Sequence, residues 1–161
     1  MGVDIHVYLE VKNDNEWINL SLSPNYHKYK PPFEDLTDYN VISGILGNRD
    51  YYLFDYLCGS SRYIDSGIEI IAPLRGLPKD VSEEVKKEYD EYANAWFGTT
   101  WYDFRELELF VQTKQAICID EDGKKYNPVK VWFNKIVDIL SGFGIYYPAI
   151  NEVRVIVWFD C

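Results

Sequence analysis

Strict alternation marks both ends of the chain. In VDIHVYLEV, Val3, Ile5, Val7, Leu9 and Val11 fall on one side of an extended strand and Asp4, His6, Tyr8 and Glu10 on the other. The closing EVRVIVWFDC has the same design, with Val153, Val155, Val157 and Phe159 opposite Arg154, Ile156, Trp158 and Asp160. A turn-rich KNDNE precedes EWINL, so residues 3–20 read as a β-hairpin.

Between these ends the apolar period lengthens toward that of a helix. NRDYYLFDYLCG predicts a short helix opened by Asn48 or Asp50 and stopped at Gly59, and 77–97 a charged helix starting near Asp80 or Ser82. GTTWYDFRELELF reads as a further helix start, with Thr100 and Asp103 at capping-box spacing, and residues 111–120 as a strand ahead of a DG turn. Asn127 followed by Pro128 opens a helix that ends at Gly142. Residues 21–40, with three prolines, predict a long loop covering a pocket with Tyr26, His27 or Tyr29. The expected fold is α+β in one domain, 1–161: a mainly antiparallel sheet in which the terminal strands are adjacent, with about three helices packed on it.

Composition narrows the function classes. The 161 residues include 14 Tyr and 5 Trp, enough aromatic side chains to suggest stacking surfaces as well as a core. A net charge of -10 disfavours a nucleic-acid polymer as partner, yet arginines in a recess can still bind a small anion, which makes Arg49, Arg62, Arg75, Arg105 and Arg154 of interest. Three cysteines without a CxxC pair, no basic leader and no apolar run of roughly 18 residues point to a reduced cytoplasm and no membrane partner.

Three constellations carry candidate chemistry. If the terminal strands pair, Asp4, His6, Tyr8 and Glu10 lie beside Arg154, Trp158 and Asp160; this is either a solvated face with ion pairs such as Glu10 with Arg154, or one wall of a site. Asp4, His6 and Asp160 also form an alternative divalent-metal and catalytic set, although no metal is favoured, since no HxH or HExxH pattern supports one. Arg75, held in PLRGLP, and Arg49, at the start of a short helix, are candidate anion ligands, or else partners of nearby acids. No nucleophile motif or Walker loop is present.

MGVDIH, GNRDYYLFDYLCG, RGLPKDVS, TTWYDFREL and VRVIVWFDC together resemble a family of small uncharacterised bacteriophage and prophage proteins with an MGxDIH start, an RGLPxD turn and an FWFD-like C-terminal strand. The resemblance singles out Gly2, Asp4, His6, Arg49, Arg75, Gly76, Trp101, Glu106, Trp158 and Asp160, and departs at Gly98–Thr100 and at Cys161. It implies a phage protein in the cytoplasm of its bacterial host. The expected function is binding and sequestration of a nucleotide-derived anionic defence signal by Asp4, His6, Arg49, Arg75, Arg154, Trp158 and Tyr26, with self-association left open. The alternatives are a metal-assisted hydrolase or phosphodiesterase using Asp4, His6 and Asp160, and a protein inhibitor with an acidic face.

Overall fold

The computed structural model describes residues 2–21, 41–59 and 68–160. The expected loop ligands Tyr26, His27 and Tyr29, and Arg62, lie outside the described residues. Strand β1 (Asp4–Asn13) turns through Asp14 and Asn15, both at positive φ, into β2 (Glu16–Asn19). Two consecutive left-handed residues give a turn whose twist matches that of a tight hairpin, and Asp and Asn tolerate the conformation better than most side chains. Helices α1 (Val41–Leu46), α2 (Tyr51–Cys58) and α3 (Glu83–Glu91) follow, then β3 (Phe97–Asp103) and α4 (Phe104–Thr113). A small ladder of β4 (Cys118–Ile119) and β5 (Lys125–Tyr126) leads to α5 (Pro128–Gly142), and β6 (Val153–Asp160) ends the described chain.

The main sheet is antiparallel in the order β2-β1-β6-β3, so the terminal strands are neighbours, as their matching alternation predicts. Their register pairs Asp4 with Asp160, His6 with Trp158, Tyr8 with Ile156 and Glu10 with Arg154. The apolar faces of β1 and β6 merge into one core with Leu53, Phe54 and Leu57 of α2, Phe104 and Leu107 of α4, and Trp132, Ile136 and Leu140 of α5. The fold is thus α+β, with five α-helices among the described residues rather than about three.

Local signals account for most boundaries. Asp50 caps α2 by accepting from the Leu53 amide at 3.1 Å, and Gly59 ends it at φ 63, a left-handed conformation suited to glycine. Asn127 accepts from the Lys130 amide at 2.9 Å and Pro128 occupies the first turn of α5. Residues 97–103 correct the sequence reading: they form the edge strand β3, and the capping box is Asp103 with Glu106 rather than Thr100 with Asp103. Thr100 is fully buried in the sheet, consistent with the β-preference of its branched side chain.

The polar face of β1 is not the wet side of a sheet. Helix α3 and the segments flanking it cover it with a second, smaller core, in which Tyr8, Ile156, Trp158 and Val85 are buried and Leu77, Val81, Tyr89, Trp96 and Trp101 pack around them. The sheet therefore lies between helices on both faces.

Candidate functional site

The two ends of this covered face differ in chemistry. At the Arg154 end, the guanidinium donates to Glu10 Oε1 through Nε at 2.8 Å and to Asp80 Oδ1 through Nη1 at 2.7 Å, while Glu10 Oε2 accepts from the Ser82 amide at 2.9 Å. Arg154 also lies over the Trp17 ring, 3.9 Å from its centroid, and Trp17 Nε1 donates to Asp80 Oδ2 at 3.0 Å. The Arg154 and Glu10 side chains are 3% and 0% exposed, so the predicted cross-strand pair forms, but inside the protein rather than on a solvated face. The network fastens the N-terminal end of α3 to the sheet. Hydrogen bonds from Arg154 hold the Asp80 carboxyl below its ordinary value.

Arg75 is similarly committed. It donates to Glu106 through both terminal nitrogens, to Oε2 at 2.7 Å, and to the Trp101 carbonyl at 2.9 Å, with its guanidinium 4.8 Å from the Trp101 ring centroid. Glu106 in turn accepts from the Asp103 amide at 3.0 Å. Arg75 thus clips the 70s segment to the start of α4, and its hydrogen bonds hold the Glu106 carboxyl below its usual range.

The other end of the sheet is more open. His6 Nε2 lies 3.1 Å from Asp160 Oδ2, with the two side chains 31% and 32% exposed. The imidazole stands against Trp96, ring centroids 4.9 Å apart, and lies nearly parallel to Trp158 at 6.1 Å. Asp4 and Asp160 face each other in register, a repulsive placement for two carboxylates, and each is answered by its own partner. For Asp4 this is Arg49, whose Nε and Nη2 reach its two oxygens at 2.6 and 3.1 Å. Hydrogen bonding from Arg49 depresses the Asp4 carboxyl, and both side chains are about half exposed. The Arg49 guanidinium passes over Gly2, where a Cβ would require this flexible, half-exposed side chain to shift.

The expected constellation therefore divides. Asp4, His6, Asp160 and Arg49 form one partly exposed cluster at this end of the sheet, the mouth of the covered layer, with Trp158 buried beside His6. Arg154 and Arg75 do not join them. Phe97 pairs with Phe159 and Asp103 with Arg154, and Asp160 lies six positions along β6 from Arg154, about 20 Å of extended chain. Among the described residues no group of three His, Cys, Asp or Glu side chains is arranged to hold a metal ion, and both Asp4 oxygens are engaged by Arg49.

Sequence reasoning missed Trp96, Tyr89 and Glu88. Trp96 donates to the Tyr89 carbonyl at 2.8 Å, tying the end of α3 to the segment that leads into β3. Glu88 is partly buried; desolvation pushes its carboxyl above the ordinary value despite a hydrogen bond from Tyr8 and the nearby His6. The signal available was the placement of Glu88 three residues after Val85, on the helix face turned toward the sheet.

No protein-family model, curated protein or solved structure matches the chain. Among the described residues no helix is long and apolar enough to cross a membrane.

Proposed function

We propose that the protein binds a small nucleotide-derived anion at the mouth formed by Asp4, His6, Arg49, Trp96 and Asp160. The observation that carries this reading is the Arg49–Asp4 pair, exposed and bidentate, beside an aromatic wall of His6 and Trp96. A ligand phosphate competes with Asp4 for the guanidinium fork at little expense, because solvent screens an ion pair this exposed. The wall offers a stacking surface for a base. Arg154 and Arg75, each held by carboxylates away from the mouth, are assigned to stability.

The residue types suit capture of a ligand, and no nucleophile motif points to its conversion. Together with the resemblance to phage proteins, this supports sequestration of a host defence signal as the biological role, an argument by analogy. A thermal-shift screen over linear and cyclic nucleotides and divalent metals tests the reading. Nucleotides alone are expected to raise the melting temperature, since a ligand that binds only the folded state stabilises it by mass action. Stabilisation by a metal together with nucleotide hydrolysis supports the hydrolase instead, and no response to any nucleotide contradicts the proposal.

A further inference from the structure

The layer beneath α3 holds a polar demand that the protein does not meet. Trp158 is 1% exposed and its Nε1 has no hydrogen-bond partner, and neither has the buried Oε2 of Glu88. Trp17, Trp96 and Trp132, by contrast, each donate their indole N–H, to Asp80, the Tyr89 carbonyl and the Leu46 carbonyl. Both unmet atoms belong to side chains that adjoin Tyr8: Trp158 stacks on its ring with centroids 4.4 Å apart, and Glu88 accepts a hydrogen bond from its hydroxyl. A buried polar atom without a partner is destabilising, and Phe in place of Trp158 would keep much of the stacking without that penalty.

The covering helix is suited to moving. Val85 is the only fully buried residue of α3, whose sequence EEVKKEYDE is otherwise charged apart from Tyr89. Its N-terminal end is fastened through Ser82, Asp80 and Glu84. At the other end Tyr89 and Trp96 are joined to each other by a hydrogen bond and rest on Trp158 through ring contacts, at 5.1 and 5.9 Å between centroids, and a single long hydrogen bond, Tyr89 hydroxyl to Thr99 Oγ1 at 3.3 Å, links them to β3. Those contacts lie beside His6, which opens onto the mouth described above.

We infer that the layer between α3 and the sheet is the base-reading part of the proposed nucleotide site: a nucleobase enters beside His6, takes the place of the Trp96 ring against Trp158, accepts from Trp158 Nε1 and donates to Glu88 Oε2. This inference rests on the nucleotide-binding reading and adds its specificity element. The hydrogen-bonding edge of a nucleobase presents an acceptor next to a donor, which is the complement of an indole N–H and a carboxylate oxygen. The Tyr89–Trp96 unit swings aside on entry and closes over the ring, while the phosphate remains at Arg49.

The test is calorimetric titration of the protein with the four ribonucleoside 5′-monophosphates and with ribose 5-phosphate, in the parent, Trp158→Phe, Glu88→Gln and Arg49→Ala. Trp158→Phe preserves an aromatic ring and removes the donor. In Glu88→Gln the Tyr8 hydroxyl claims the amide oxygen, which leaves an NH2 donor facing the donor of the base. Each is expected to weaken the best mononucleotide by about tenfold or more while leaving ribose 5-phosphate binding at its parental level. Should Trp158→Phe fail to fold, Glu88→Gln decides. Parental mononucleotide affinity in the folded variants, with Arg49→Ala still weakened, overturns the base-reading assignment and leaves the phosphate site standing. Equal parental affinity for ribose 5-phosphate and the mononucleotides overturns it too. A parent that binds none of them overturns the nucleotide reading together with this inference.

Discussion

Arg154 and Glu10 face each other across β6 and β1, Nη2 to Oε1 2.7 Å, with almost no exposure of either side chain. A pair so enclosed is strongly asymmetric in its energetics: removing one member strands the other charge, whereas removing both together need not destabilise. Arg154→Ala is expected to lower the unfolding free energy by about 3–5 kcal/mol in urea denaturation, and the combined Glu10→Leu, Arg154→Met variant to recover most of that loss. A single variant within about 0.5 kcal/mol of the parent contradicts the network's role in fastening α3.

Arg75 holds Glu106, and Glu106 closes the capping box at Asp103. Arg75→Ala is therefore expected to cost about 1 kcal/mol through a loosened α4 start, measured by thermal denaturation, with nucleotide affinity unchanged. Loss of affinity in a folded Arg75→Ala variant would return Arg75 to the ligand site.

The carboxylates pull stability in opposite directions with pH. Asp80 and Glu106 are depressed by their arginines, so the stability they contribute is present above the ordinary carboxylate values of 3.8 and 4.5 and is lost as pH falls through their lowered folded values. Glu88 is raised by burial, so the fold holds its proton more tightly than the unfolded chain does. Its contribution is complete below 4.5 and lost as pH rises through the raised folded value. Glu88→Gln should remove that loss, so its melting temperature relative to the parent rises as pH is taken from about 4 to about 8. Parallel curves for parent and variant over that range would show that Glu88 titrates normally.

Alternation made the hairpin, the pairing of the terminal strands and the Glu10–Arg154 contact legible in the sequence, because period-2 patterning fixes face and register together. What it left open was the cover on the second face. EEVKKEYDE has one strongly apolar residue and reads as a solvated helix, so only Ile156 and Trp158 on the polar face of β6 hinted that something packs there. Strand β3 was hidden because TTWYDFREL runs without a break into a true helix start at Asp103, and helical capping signals outweighed the β-branched and aromatic residues before it. The separation of Arg75 and Arg154 from His6 was legible in part: once the end strands pair, five residues lie between Arg154 and Asp160 whatever covers them.

The phosphate-binding role of Arg49 is tested most directly by fluorescence-detected equilibrium binding of mono- and cyclic nucleotides to the parent, Arg49→Ala, and Arg75→Ala as a control of the same residue type. The expected result is saturable binding by the parent, a loss of about tenfold or more for Arg49→Ala, and parental affinity for Arg75→Ala. Saturable binding that Arg49→Ala leaves intact, or no binding of any nucleotide by the folded parent, would contradict the assignment of the Asp4, His6, Arg49 and Asp160 mouth as a nucleotide site.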